Sequence, residues 1–423
     1  MPLPSIRGAW LALLLLAGCA GTPPRPAVAA PAPDAPVLLL ISIDGLHPDA
    51  LGRGDTPHLD RIAAEGVRAE WMNPSYPVLT FPNHFTLVTG LRPDRHGIVH
   101  NTMRDAGLGE FRVADREAGA RAPWWQGEPI WNAAEQAGLR TAIWAWPGNT
   151  APIGGLRPAR WVPYSPEVTA AARADEVAGW VTAPAATRPR LAALYFEHVD
   201  AAGHDHGPDA EPTRAALRAV DAAIGRILKA LDAHGLAPHT DLIVVSDHGM
   251  APVEPEQYLA VEDMAPLEEA EAVSIGQVIG FNPRPGREQA AAARLLGRHA
   301  HHECWRRQDL PPRWRYGSHP RVPAIVCQMD EGWNASPRAH LQRIPLERRK
   351  RGAHGYDPAL PSMRAMFVAR GPSFRSGVTV PAIDNVDVYP LLARLLGVEP
   401  APNDGDPRAL LPALKPAADA PAH

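Results

Sequence analysis

VLLLISIDG, residues 37–45, is a continuous apolar, β-favouring run closed by Asp44 and Gly45. A run of that length without polar alternation reads as a strand buried on both faces, as in a parallel sheet covered by helices. Working outward, the same kind of segment recurs at 141–146 (TAIWAW), 191–197, 242–246 and 363–369. Between these runs, helical patterns fall at 58–65, 81–89, 130–136, 213–233 and 386–396. Pro82 lies in the first turn of its helix, where a missing N–H costs nothing. Strands alternating with helices predict an α/β fold with a mostly parallel central sheet and helices on both faces.

Residues 255–350 carry their own strand signals, at 273–281 and 322–329, and a helix signal at 287–301. They are expected to form an inserted, smaller α+β subdomain. The main domain is expected over 37–410, and the tail 411–423 (LPALKPAADAPAH) to be disordered.

The chain has 423 residues, 45% of them apolar, and a formal net charge of -4. That is enough to bury a large core, and it provides no general field for nucleic acid or for acidic membranes, so recognition must be local. Lysine occurs only at 229, 350 and 415, a scarcity that reads as codon bias rather than as arginine selected for phosphate. Arg7, the apolar stretch 9–17 and Leu16-Ala17-Gly18-Cys19 read as an export signal too short to span a bilayer. The last four residues resemble a bacterial lipobox. That resemblance implies a signal peptide over 1–19, a lipid on Cys19, and a periplasmic or outer-membrane-anchored lipoprotein of a Gram-negative bacterium, tethered through the Pro/Ala-rich residues 20–36. An ordinary cleaved signal is the alternative. With Cys19 set aside, Cys304 and Cys327 remain; in an oxidising compartment they are expected to pair, two buried free thiols being the alternative.

The chemistry is carried by oxygen and nitrogen ligands at the ends of apolar runs: Asp44, Thr80, Asp200, His204, Asp247, His248 and His354. In open parallel sheets ligands bind at the carboxyl ends of strands. Asp44 directly follows the first strand, Asp247-His248 follows another and Asp200 comes shortly after a third, so three strands deliver donors to one edge. Gly203 is expected to let the Asp200–His204 segment turn so that both meet one metal. Mixed Asp and His donors suit Zn²⁺ and disfavour Ca²⁺. Two divalent metals around a hydroxyl nucleophile are the equipment of a hydrolase.

SIDGLHPD (42–49), PSYPVLTFPNHFTLVTGLRPDRHGI (74–98), EHVDAAGHDHGP (197–208), SDHGM (246–250) and AHGYDP (353–358) resemble, in this order, the signatures of nucleotide pyrophosphatase/phosphodiesterases of the alkaline phosphatase superfamily. The resemblance covers roughly 37–400. It implies two Zn²⁺ per chain, one held by Asp44, Thr80, Asp247 and His248, the other by Asp200, His204 and His354. It makes Thr80 the nucleophile and Asn101 a donor to a phosphoryl oxygen, with the Phe81 amide expected to point at the phosphoryl group as well. Phe81, Tyr164 and Tyr195 are implied as walls of an aromatic nucleobase slot, core packing being the alternative for each. The neighbouring His84, His96, His100, His198 and His206 are expected to be surface or supporting groups.

The activity implied is hydrolysis of nucleotide phosphodiester or pyrophosphate bonds to nucleoside 5′-monophosphates through a phosphothreonine intermediate. Alternatives on the same scaffold are a phosphomonoesterase and a phospholipid-type phosphodiesterase, and from another class a non-catalytic metal- or ligand-binding lipoprotein. The expected partners are a nucleotide-like small molecule and, through the lipid anchor, a membrane, with no specific nucleic acid; oligomeric state is not legible.

Overall fold

In a computed structural model the described residues are 36–416. The expected signal, Cys19 and most of the tether lie outside them, as does the tail from 417. No helix among the described residues is long and apolar enough to cross a membrane.

The centre is an eight-stranded sheet of β1 (Val37–Ile43), β2 (Val67–Ala69), β3 (Thr141–Trp144), β4 (Arg160–Val162), β5 (Leu191–Phe196), β6 (Thr240–Val245), β7 (Phe367–Arg370) and β8 (Val378–Val380), in the spatial order β8-β2-β7-β6-β1-β5-β3-β4. β1 pairs in parallel with β5 on one side and β6 on the other, and only β7 runs against its neighbours. The sheet is therefore mostly parallel, as the unbroken apolar runs predict.

Alternation along β1 shows why that run must be apolar throughout. Leu38 and Leu40 enter a core shared with Phe85, Leu87 and Val88 of helix α1 (Thr80–Thr89), while Leu39, Ile41 and Ile43 enter the opposite one. There they meet Ala174 and Val177 of α2 (Ala170–Val181) and Val220, Ile224 and Ile227 of α4 (Glu211–Ala233). A shorter helix, α3 (His198–His206), precedes α4 in the chain. Each fully buried Leu or Ile contributes about 1.5–3 kcal/mol, so both helical layers are held by the central strand.

The inserted segment forms a five-stranded antiparallel sheet, in the order Ala270–Ser274, Val278–Pro283, Ile325–Met329, His302–Arg306, Gly297–Arg298, with its own core and the helix Glu288–Leu295. Four expectations need correction. The single strand at 273–281 is a hairpin, because Gly276 turns the chain at φ +106°. The helix expected to run to 301 ends at Leu295, ahead of Gly297 at φ +95°. The strand expected from 363 starts at Phe367, since Pro361–Met363 is a 3₁₀ turn. Finally, order continues beyond residue 410: Leu411–Ala413 form a 3₁₀ turn, Ala413 is fully buried and the Lys415 amide donates to the Ser373 carbonyl.

Cys304 and Cys327 face each other on paired strands and form a disulfide, so the free-thiol alternative falls. Replacing both by serine is expected to lower stability by about 3 kcal/mol on the chain-entropy model. The shift of the urea midpoint of the purified protein measures it, and an unchanged midpoint would contradict a stabilising role.

Candidate metal and catalytic centre

β1 ends one residue before Asp44, and β6 ends two residues before Asp247-His248; all three side chains are buried. Ser246 locks the second of these ends, its hydroxyl donating to the Leu46 carbonyl at 2.6 Å and accepting from the Met366 amide at 2.7 Å. β5 leads into α3, and here the expected turn at Gly203 is replaced by a helix. Asp200 and His204 lie one helical turn apart on one face, as i and i+4 residues do. Gly203 is needed for a different reason: a Cβ there would stand 2.6 Å from the Met250 sulfur. His354 arrives after the inserted subdomain and is also buried.

The donors fall into two groups, Asp44 with Asp247 and His248, and Asp200 with His204 and His354. Each histidine engages a backbone carbonyl through Nδ1: His204 with Gly352 at 2.8 Å, His248 with Gly249 at 2.9 Å and His354 with Val78 at 2.9 Å. A neutral ring that donates from Nδ1 has its lone pair on Nε2. The three Nε2 atoms face carboxylates: His248 lies 2.9 Å from Asp247 and 3.4 Å from Asp44, while His204 and His354 are each 3.5 Å from Asp200. With metal–ligand bonds of about 2.0–2.1 Å, a tetrahedral site has edges of about 3.3–3.4 Å. Most of these separations are thus those of atoms sharing one ion.

Buried orphans point the same way. Asp44 Oδ1, Asp200 Oδ1, Asp247 Oδ2 and His248 Nε2 lack hydrogen-bond partners, a costly condition for charged or polar atoms unless something else satisfies them. Burial, then the charges of Asp247 and Asp200, push the Asp44 carboxyl well above its ordinary range. Burial would also raise Asp247, but His248 and His84 beside it outweigh that and hold it well below. Burial and the neighbouring His248 and His204 keep His354 neutral and well below the usual imidazole value. Acidic and imidazole-rich, the one buried and the other partly open, both groups fit a divalent cation of the Zn²⁺ type. A third group, His299, His302 and Cys304, is closed to thiolate ligation by the disulfide.

Thr80 is the first residue of α1, not the residue before it. Two positions earlier, the Val78 carbonyl holds His354. The Thr80 carbonyl in turn meets His84 Nδ1 at 2.9 Å, and that same nitrogen lies 3.3 Å from Asp247 while Nε2 reaches the Ser42 hydroxyl at 2.8 Å. His84 is fully buried, so of its two expected roles, surface or supporting group, it takes the second, as a strut between α1, β1 and Asp247. Its signal was its spacing, four residues after the hydroxyl on one helix face. His96, also buried, props α1 through the Pro82 carbonyl at 3.1 Å, and its burial lowers its pKa to about 3.

Two expected roles are modified. The Phe81 amide does not stand free for a phosphoryl group: it donates to Asn101 Oδ1 at 3.1 Å. That bond fixes the Asn101 amide and leaves its NH₂ as the donor. Tyr195 is 8% exposed; its hydroxyl donates to Asp44 Oδ2 at 2.5 Å and its ring stands edge-on to His84. It supports the metal end of the site more than it offers a face. Tyr164, 39% exposed and 6.4 Å from the Tyr195 ring, is the open aromatic, and half-buried Phe81 packs against Phe111 and Trp125. Trp124 and Trp125 are themselves buried in that packing.

A large, mostly parallel sheet with helices on both faces and Asp/His clusters at the strand ends is alkaline-phosphatase-like architecture. Residues 38–357 match the family model of type I phosphodiesterase / nucleotide pyrophosphatase, and the chain belongs to that family of enzymes. It is 33% identical over 388 residues to an uncharacterized pyrophosphatase/phosphodiesterase of Schizosaccharomyces pombe, covering 89% of this chain and 80% of that one. It is also 33% identical over 397 residues to bis(5′-adenosyl)-triphosphatase ENPP4 of Bos taurus, covering 92% and 83% respectively. Among solved structures, murine ectonucleotide pyrophosphatase/phosphodiesterase 5, as an inactive threonine-to-alanine variant in complex with AMP, aligns with a TM-score of 0.84 and 31% identity over 90% of this chain and 100% of that one.

Tyr195→Phe removes the hydroxyl that orients Asp44 and leaves the ring. Loss of such a support is expected to weaken metal binding roughly 10- to 100-fold, measurable by competition with a fluorescent zinc chelator. Unchanged affinity would mean that the Tyr195 hydroxyl has no part in holding Asp44.

Proposed function

We propose that the protein hydrolyses nucleotide phosphodiester or pyrophosphate bonds, releasing nucleoside 5′-monophosphates through a phosphothreonine at Thr80. The observation that carries this reading is the position of Thr80 at a helix N-terminus linked to both Asp/His groups, through the Val78 carbonyl to His354 and through its own carbonyl and His84 to Asp247. Asp44, Asp247, His248 and Thr80 would hold one Zn²⁺, and Asp200, His204 and His354 the other. Bound there, the ions would lower the pKa of the Thr80 hydroxyl and of water and neutralise developing negative charge.

The chain's own groups supply the rest. The Thr80 hydroxyl attacks phosphorus, the alcohol or phosphate product departs, and water then takes the phosphoryl group from Thr80; two in-line displacements retain configuration. The Asn101 NH₂, aimed by the Phe81 amide, donates to a non-bridging oxygen. Being neutral, it suits a monoanionic diester better than a dianionic monoester, which an arginine fork would favour. Phe81 and Tyr164 offer aromatic surface for a base. AMP in a relative sharing 31% of its sequence supports the nucleotide class. The lipobox-like Leu16-Ala17-Gly18-Cys19 supports an exported, lipid-anchored enzyme.

Thr80→Ala is expected to abolish turnover of p-nitrophenyl thymidine 5′-monophosphate while the zinc-loaded fold persists, read by steady-state rates and circular dichroism; full activity in the purified variant would refute the nucleophile. Wild-type enzyme should cleave this diester faster than p-nitrophenyl phosphate, and the opposite order would favour a phosphomonoesterase. Exhaustive chelation should lower both activity and Tm, with Zn²⁺ restoring them, because it leaves buried carboxylates facing one another.

A further inference from the structure

Tyr164 lies on an exposed loop between edge strand β4 and α2, and the residues around it, from Pro163 to Thr169, contribute nothing to a hydrophobic core beyond the partly buried Val168. On the loop's N-terminal side Val162 is held by pairing with β3 and by donors from Ala145 and Asn149; apart from Val168, the C-terminal side is held by polar contacts. Arg173, in the first turn of α2, is fully buried and uses all five of its N–H groups. Nε donates to the Val168 carbonyl at 3.0 Å, and Nη2 to the Ser165 carbonyl at 2.9 Å and to Glu197 Oε1 at 2.7 Å. Nη1 donates to the Tyr195 carbonyl at 3.1 Å and to Glu197 Oε2. The guanidinium also lies over the Trp144 ring at 4.6 Å and over Tyr164 at 5.9 Å.

One planar group thus joins the stretch that follows Tyr164, through the carbonyls of residues 165 and 168, to the backbone of Tyr195, whose ring lies 6.4 Å from that of Tyr164. The Glu197 carboxylate, two residues after Tyr195, neutralises it. Lysine has three tetrahedral donors and could not reproduce this planar, five-point arrangement. Burial, then the Glu197 charge, raises the Tyr164 phenol to about 12, so its hydroxyl stays protonated beside that carboxylate.

We propose that Arg173 is a positioning residue for substrate specificity: it holds the Tyr164 loop against the end of β5 and so sets the aromatic surface available to the nucleoside retained on the phosphoryl group. The proposal rests on the nucleotide reading above and assigns Arg173 no contact with the reacting atoms.

The test compares two diesters on the zinc-loaded enzyme, p-nitrophenyl thymidine 5′-monophosphate and methyl p-nitrophenyl phosphate, which retains only a methyl group. Arg173→Lys is expected to raise KM for the nucleotide roughly tenfold, a loss comparable to part of one base–aromatic stack. It should leave kcat/KM for the methyl ester within about twofold and zinc content equal to wild type. In a Tyr164→Ala background the same change should have little further effect on nucleotide KM. Should Arg173→Lys fold poorly, Arg173→Met with Glu197→Gln removes both buried charges together and is expected to give the same KM pattern. Parallel losses on both esters, a fall in zinc content, or an undiminished effect of Arg173→Lys when Tyr164 is already alanine would each overturn the proposal. If Tyr164→Ala itself leaves nucleotide KM unchanged, the aromatic slot fails and the proposal with it. If Tyr164→Ala raises KM and the Arg173 variants do not, the slot stands and only the role of Arg173 is lost.

Discussion

Three buried or half-buried carboxylates, Asp44, Asp200 and Asp247, are held close enough that the charges of the other two raise the pKa of Asp44. Mutual repulsion on that scale in a dry interior is tolerated only if the surroundings fix every group. They do so from several directions. The Tyr195 hydroxyl and the Gly45 amide donate to Asp44 and Asp247 respectively, and three histidines are anchored through Nδ1. Gly45 has to be glycine: its φ is +72°, and a Cβ would come within 3.2 Å of Asp200. The end of β1 and the start of α3 can approach only because that side chain is absent.

The inserted subdomain belongs to this same system, although it supplies no donor to either group. Tyr76, four residues before Thr80, stacks on Trp314 at 4.0 Å, and the Tyr316 hydroxyl donates to the Val99 carbonyl at 2.9 Å. Buried Arg321 donates to the carbonyls of Gly97, Pro123 and Trp124 and pairs with Asp105. The segment carrying Asn101 is thereby pinned on the subdomain side while the Phe81 amide pins Asn101 itself. Thr80 and Asn101 are therefore held by one surface assembled from two parts of the chain.

What could be read in the sequence follows from this division of labour. Strands buried on both faces announce themselves as apolar runs, and a ligand that must sit at the end of one is found by looking there; Asp44 and the Asp247-His248 pair are of this kind. Groups acting through long-range packing carry no such mark. Tyr195 reads equally well as a strand residue or a slot wall, and only the meeting of β5 with β1 reveals its bond to Asp44. His84 likewise becomes a strut only because α1 crosses over Ser42. Local punctuation was decisive where it went unheeded: Gly276 and Gly297 each cut an expected element, since positive φ overrides the surrounding propensity. Gly203 shows the converse: it lies inside α3 rather than at a turn, and the Met250 sulfur packs where its Cβ would be.

The two ends of the candidate site are consequently determined to different degrees. At the Asp/His end the three histidines and Asp247 each have a backbone partner and Asp44 has the Tyr195 hydroxyl, so a substitution there disturbs a connected network. At the other end Tyr164 stands on an exposed loop that follows β4 directly and is tied to the end of β5 by the Arg173 guanidinium. Sequence change in that loop can alter what is recognised without moving a carboxylate, provided that the carbonyls of residues 165 and 168 still reach the guanidinium. The Asp/His end is thus set by the ends of buried strands and by α3, whereas the position of Tyr164 depends on an exposed loop that one buried arginine draws to the end of β5.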